Sequence, residues 1–478
     1  MRILELLVVV TVIVSAINLV ILKRKGLSVV LPGLSVVLCA VSLLCEGYRN
    51  HMIPAYVLAL LLFAIDVAHH YARPRKVNKG FKIVGIVLLS LFVLVSAALP
   101  ALFPVVKMPE PDGPHLVGTE YMSFSDAARK GIFTASDQPR DIGVQVWYPT
   151  DDIKGKKAAN MLPNRKASEY LAQSMLMPNL FDHLSLVKTH SYLDAALSGK
   201  ESSYPVVLFS GGYGGFNGQN VVLMEALASR GYVVFGVSHP YEDFASTYPG
   251  GILIRFNAEQ ATRLQHELLD ISKRYGGDTS SADFEKYQVQ NAKVSNESIH
   301  IWSDDMKFVA DEIEKLNSGE LQSRFKGKLD TARMGIFGHS FGGATAGQAC
   351  LEDSRFKAFI NMDGAPFGDS VNRVIPQPFM ILMGDGHQNL IPAGYSPEQK
   401  NYAAVTINGA KHMDFTDFSI LLPQFKYLGV LGSIDGSKQE AILKDYVTAF
   451  FDKHLKGEKA PLIDGGVQKY PEVTVKLK

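Results

Sequence analysis

At 478 residues the chain is long for one domain and suits two. Its 48 basic and 47 acidic side chains leave a net charge of +1, a balance that points away from a nucleic-acid partner. The hydrophobic share of 47% is ordinary as a mean but unevenly spread, because the first hundred residues hold far more than their portion.

Four apolar stretches precede Pro104, over residues 3–22, 27–45, 52–67 and 83–102. Each approaches the roughly 20 residues needed to cross a bilayer. The third is the shortest and carries Asp66 near its end, which reads as an interfacial residue rather than a proton relay. The first is longer than the ~7–15-residue core of a signal peptide, and three more stretches follow it. Lys23, Arg24 and Lys25 follow the first stretch, and Arg49 stands alone after the second. Arg73, Arg75, Lys76, Lys79 and Lys82 lie between the third and fourth. The positive-inside rule then puts the first and third loops in the cytoplasm. The expectation is an integral protein of the plasma membrane, with everything after about Lys107 extracytoplasmic. Cys39 and Cys45 sit in the second stretch and Cys350 lies alone downstream, so no disulfide forms within the downstream region and no spacing resembles a metal site.

The chain thus divides into a transmembrane region over 1–105, a linker over 106–116 that holds the breaker-rich run from Pro109 to Pro114, and a catalytic region over 117–478. Strand-like runs there fall at 118–124, 144–148, 206–209, 233–237, 334–337, 356–360, 379–383 and 404–407, the first antiparallel to its neighbour. Helical patterns fall at 221–230, 258–275, 301–316, 343–351 and 439–455. This alternation predicts a mostly parallel central sheet flanked by helices. Residues 151–203 and 241–300 are long for simple connections and suit cap insertions over an active site. Within the first, Phe181, Leu184, Leu186, Met175 and Met177 read as core.

Gly338-His339-Ser340-Phe341-Gly342 follows the apolar run 333–337 and precedes the small-residue stretch Gly343-Ala344-Thr345-Ala346. A G-x-S-x-G pentapeptide between strand and helix is a nucleophile elbow, and its glycines are needed because the turn leaves no room for flanking side chains. The fold class is therefore the α/β-hydrolase fold, preceded by a bundle of about four transmembrane helices. A serine hydroxyl needs a base, usually a histidine oriented by a carboxylate. After Ser340 only His387, His412 and His454 remain. His454 lies among lysines on the last helix, and His387 comes too early in the topology. His412 follows a strand that ends in a glycine turn, where the base loop belongs. Asp363 and Asp385 both end sheet strands, and topology alone favours Asp385. For the oxyanion, the Phe341 amide and the glycine-rich run from Ser210 to Gly215, with Tyr213 as donor, are the candidates. This chemistry requires no metal and no organic cofactor.

Four motifs carry a resemblance that covers about residues 114–455. They are Tyr204-Pro205-Val206-Val207-Leu208-Phe209-Ser210, the run from Gly338 to Thr345, Asn361-Met362-Asp363-Gly364, and Gly409-Ala410-Lys411-His412 continuing to Phe415-Thr416-Asp417-Phe418. Together they resemble the platelet-activating-factor acetylhydrolase isoform II family. The resemblance implies an acid after the sixth strand, hence Asp363 over Asp385, and ester hydrolysis on short or oxidised acyl chains of phospholipids. Two departures bear on substrate identity. Ser210-Gly211-Gly212 stands where relatives usually have Ser-His-Gly, and Tyr241-Glu242 after His239-Pro240 replaces a basic pair. A short-chain carboxylesterase or dienelactone-type hydrolase, an acyltransferase and a non-enzymatic membrane sensor are the competing readings.

Overall fold

Apolar runs of 20 to 24 residues, with prolines confined to their ends, fold as four helices over Ile3–Leu22, Gly26–Glu46, Asn50–Tyr71 and Lys79–Leu102. All four are long and apolar enough to cross a membrane. The computed structural model describes residues 1–71, 78–132, 137–279 and 281–478. Arg73, Arg75, Lys76 and the side chain of Lys25, counted above among the loop charges, lie outside the described residues. The third helix is not short, because His69, His70 and Tyr71 extend it by a turn. The chain forms two units, Met1–Val106 with Met175–Val187, and Lys107–Ser174 with Lys188–Lys478.

In the first unit, small buried residues (Ala16, Ser35, Ser42, Ala55 and Ala59) let the helices approach closely around Val8, Val12, Leu58 and Leu62. The outer faces stay apolar: Ile83, Val87, Leu91 and Leu94 of the last helix are all exposed. One end of the bundle holds a buried ionic group. Arg49, expected as a solitary loop charge, is fully buried instead. Its Nε lies 3.1 Å from Glu5 Oε1, and it donates to the carbonyls of Phe103 at 2.8 Å and Pro100 at 3.2 Å. Arg2 closes the group on Glu5, at 2.7 Å, and on the Glu46 carbonyl. Asp66 is also buried, beside a cavity lined by Asn18, Lys23, His69 and His70. Phe181 and Leu184 pack as core, as their apolar character predicts, but in this first unit.

The second unit is built on an eleven-stranded sheet. Its order runs Val473–Leu477, Tyr402–Ile407, Phe379–Gly384, Phe356–Met362, Leu329–His339, Tyr204–Ser210, Val233–Val237, Pro139–Thr150, Leu116–Lys130, Lys188–Leu193 and Ala158–Asn160. The six strands from Tyr402–Ile407 to Val233–Val237 are mutually parallel. Such strands are covered on both faces, and Val206, Leu208, Val233, Phe235, Ile336 and Ile381 are accordingly all buried. Each such side chain contributes about 1.5–3 kcal/mol by leaving water. Leu116–Lys130 pairs antiparallel with Pro139–Thr150, as expected. The sequence patterns leave unmarked the outer strands Lys188–Leu193, Ala158–Asn160 and Val473–Leu477, which are short and half polar. The helix expected at 301–316 begins earlier, at Lys293. Residues 241–300 supply a small hairpin and the helices Ala258–Tyr275 and Ala282–Asn291.

Candidate active site

Strand Leu329–His339 runs into helix Phe341–Glu352 with only Ser340 between them, and Ser340 takes φ 56° and ψ −121° to make the turn. Positive φ on a residue with a Cβ costs about 1–3 kcal/mol, so the surroundings must impose it. They do so by close backbone approach. A Cβ on Gly338 would collide with the Gly342 carbonyl, and one on Gly342 with the carbonyls of Ser210 and Gly211. The Ser340 amide also donates to the Met362 carbonyl at 2.8 Å, which holds the serine over the end of the next strand.

Ser340 Oγ lies 2.9 Å from His412 Nε2, and His412 Nδ1 lies 2.7 Å from Asp363 Oδ2. Asp363 also adopts positive φ, 56°, at the end of strand Phe356–Met362. Asn361 fixes that turn. Its Nδ2 donates to the Gly364 carbonyl at 2.7 Å and to Tyr395 Oη at 2.8 Å, and its Oδ1 accepts from Gly364 N at 2.9 Å. The His412 loop is tied down by two other acids. Asp414 accepts from Lys411 N, Gly432 N and Ser419 Oγ at 2.6–2.9 Å. Asp417 accepts from Val222 N at 3.3 Å, and Asn220 Nδ2 donates to the Phe415 carbonyl at 2.7 Å. The Phe-Thr-Asp-Phe run therefore locks the histidine loop to helix Val221–Ser229.

Asp385 takes no part in this chain. It is exposed and accepts from Gly409 N at 3.1 Å, which braces the turn before His412 and leaves the ring to Asp363. His387, set aside on topological grounds, sits inside the group. Its Nδ1 lies 2.9 and 3.0 Å from the two Asp363 oxygens. Gly384 N donates to Asp363 Oδ1 at 3.0 Å. Burial alone would raise the Asp363 carboxyl, but the hydrogen bonds from His387 and His412 outweigh it and hold the group at about 2. The same carboxylate raises His387 above its ordinary value. His339 is pushed down to about 3, by burial first and by His412 second. It is thus a neutral strut between Gln219 Nε2 at 2.7 Å and the His412 carbonyl at 3.0 Å.

The glycine-rich run after strand Tyr204–Ser210 folds over the serine. Gly212 N donates to Gln219 Oε1 at 3.1 Å and Gly214 N to the Glu242 carbonyl at 2.8 Å. Among the described residues, neither the Tyr213 nor the Phe341 amide donates to a backbone carbonyl, and Phe341 opens a helix whose N-terminus is electropositive. A buried network backs the run. His239 links Ser210 Oγ to Asp305 Oδ2 at 2.9 Å on each side, and Arg140 grips Asp305 through two 2.7 Å hydrogen bonds. Trp302 stacks on His239 at 3.8 Å, stacks more loosely on Tyr213 at 6.2 Å, and donates to Glu242 at 2.6 Å. The Tyr241-Glu242 departure thus has a structural consequence: Glu242 anchors the tryptophan that carries Tyr213. The sequence singles out Ser210, Tyr213, His239 and Glu242 but not the network that joins them, since its members lie up to 165 residues apart.

Ser340, Phe341 and His412 border a pocket of about 290 Å³. Leu264 and Leu268 from helix Ala258–Tyr275, and Glu285 from helix Ala282–Asn291, form its other wall. The pocket is mainly apolar, with a few polar groups among its lining, as small-molecule sites are. The ligating atoms of Asp363, His387 and His412 lie within 4.8 Å of one another, but a cation there would displace the hydrogen bonds just described.

A parallel sheet covered by helices, a strained serine elbow at a strand end and a pocket over it define an α/β-hydrolase of the esterase type. The solved ferulic acid esterase from Streptomyces cinnamoneus is similar, with a TM-score of 0.59 and 25% identity, covering 78% of this chain and 99% of that one. The family model described as platelet-activating factor acetylhydrolase, isoform II, matches residues 101–462, and the chain belongs to that family. Platelet-activating factor acetylhydrolase of Canis lupus familiaris is 26% identical over 372 residues, 73% of this chain and 77% of the relative. That of Gallus gallus is 26% identical over 376 residues, 73% and 84%. A probable 1-alkyl-2-acetylglycerophosphocholine esterase of Arthroderma benhamiae is 24% identical over 421 residues, 79% and 95%. The protein is a carboxylic ester hydrolase.

Proposed function

We propose that the protein is a membrane-anchored serine esterase that removes short or oxidised acyl chains from phospholipids. The hydrogen-bonded chain Ser340–His412–Asp363, at 2.9 and 2.7 Å on the floor of the pocket, carries the reading. His412 takes the proton as Ser340 Oγ attacks the ester carbonyl, and Asp363 holds the ring and stabilises its charged form. The oxyanion forms against the Tyr213 and Phe341 amides. Collapse of the tetrahedral intermediate breaks the ester C–O bond, and His412 hands its proton to the leaving alcohol. Water, deprotonated by His412, then adds to the acyl-enzyme, and the acid leaves as Ser340 recovers its proton.

The names of the relatives support an acetylated or short-chain glycerophospholipid as substrate. A pocket of about 290 Å³ suits a short acyl chain better than a long one. The four apolar helices support an anchor, and the loop charges support an extracytoplasmic catalytic region. The ferulic acid esterase likeness favours a second reading, a carboxylesterase that accepts non-lipid esters.

The test is hydrolysis by the full chain in detergent, first on short p-nitrophenyl esters beside Ser340→Ala. A panel of phosphatidylcholines whose sn-2 chain runs from acetyl to palmitoyl follows. Activity on acetyl and truncated chains that disappears in Ser340→Ala and falls steeply with length supports the proposal. Turnover of feruloyl and simple alkyl esters with none of the phospholipids would establish the second reading. An inert, folded wild type would overturn both.

A further inference from the structure

Three potential metal ligands meet in the first unit. His51 lies at the start of the third helix, and Asp182 and His183 lie in the Met175–Val187 segment. Their ligating atoms fall within 4.8 Å of one another, and all three side chains are at most 2% exposed. Among the described residues, none makes a hydrogen bond of good geometry to either ring nitrogen of His51 or His183, although the Leu180 carbonyl lies near His183. Buried imidazoles normally satisfy at least one nitrogen, since an unmet polar group inside a protein is destabilising.

From this geometry we infer that His51, Asp182 and His183 form a structural site for a divalent transition-metal ion, zinc by preference. Two imidazoles and one carboxylate are a zinc donor set, with water completing the tetrahedron. Spacing supports it. Zinc–ligand bonds of about 2.0–2.1 Å put neighbouring ligand atoms roughly 3.3–3.4 Å apart. His51 Nδ1 and Asp182 Oδ1 are 3.2 Å apart already, and the His183 ligand atom lies within 4.8 Å of both. Asn50 N donates to the other Asp182 oxygen at 2.6 Å, the kind of outer contact that orients a ligating carboxylate. Phe103 packs against both imidazoles, at 4.8 and 5.8 Å, and screens the site.

The ion would fasten to the helices a segment that leaves the catalytic unit at Ser174 and returns to it at Lys188.

The experiment is metal analysis of the full chain, purified in detergent, loaded with zinc and dialysed, in wild type, His51→Ala, His183→Ala and His387→Gln. The last variant controls for zinc held at the Asp363 group. The expected result is about one zinc per chain in wild type and His387→Gln, falling at least roughly tenfold in His51→Ala and His183→Ala. Should the alanine variants fail to fold, the wild type answers alone. Cobalt(II) would give tetrahedral visible bands, and a chelator would lower the melting temperature reversibly, with zinc restoring it. A wild type that holds no metal and melts alike with zinc or chelator would overturn the proposal. So would zinc that survives His51→Ala but is lost in His387→Gln.

Discussion

Each unit buries an aspartate among imidazoles, and the two settings differ in their hydrogen bonds and exposure. In the catalytic unit Asp363 accepts from Gly384 N and engages His387 and His412, whose side chains stay 40% and 41% exposed toward the pocket. In the first unit Asp182 accepts from Asn50 N, while the rings of His51 and His183 are sealed in without hydrogen bonds of good geometry among the described residues. The difference teaches what each cluster suits. A carboxylate that orients a half-exposed imidazole is arranged to move protons at a substrate, whereas sealed imidazoles that converge on a carboxylate are arranged to hold something in place.

The sharpest way to break the comparison is to remove catalytic atoms and leave packing intact. Ser340→Ala should lower kcat on p-nitrophenyl acetate by at least about 10⁴-fold with little change in melting temperature. Asp363→Asn should cost about 10⁴-fold, since the imidazole loses the acceptor that sets its tautomer. Its effect on stability should depend on pH. The carboxyl is held at about 2 in the fold, below the roughly 3.9 of an unfolded aspartate. Its contribution is therefore full above about pH 4 and fades as pH falls toward 2, so the gap between wild type and Asp363→Asn in denaturant titrations should close across that range.

In the first unit, Glu5→Ala leaves buried Arg49 without its carboxylate and should destabilise the unit by about 3–5 kcal/mol, read by denaturation in mixed micelles. Its effect on hydrolysis of soluble esters should be minor by comparison. His387→Gln sharpens the contrast at smaller scale. It should reduce kcat/KM about 3–10-fold and move the acid limb of the pH profile upward, because a second positive charge on Asp363 has gone. The folded state raises His387, so its stabilising contribution is full below about pH 6.5 and is lost as pH rises through the folded value. The variant should accordingly be less stable than wild type at pH 5 and indistinguishable near pH 9. Asp385→Asn should change kcat less than about threefold, since that carboxylate supports only a turn. A larger loss than that of Asp363→Asn would reverse the assignment of the two acids.

What the sequence determined by itself is local. Apolar runs of membrane length, the alternation of strand and helix patterns, the strand–glycine–serine–glycine–helix elbow and the glycine turn before His412 each depend on residues within about twenty positions of one another. Their physics is backbone sterics and hydrophobic period, which a linear string displays. Tertiary structure decided what depends on distant partners. Asp363 and Asp385 both end strands, and only the placement of the His412 ring separates them. His387 joins the site because a short turn after Phe379–Gly384 swings it back onto Asp363. Arg49 reads as a loop charge until Glu5, Pro100 and Phe103 close around it, and Phe181 reads as core with no sign of which unit's core. Charge and burial are properties of a neighbourhood, and in this chain those neighbourhoods are assembled from segments as far apart as Arg140 and Asp305, or Asn50 and Asp182.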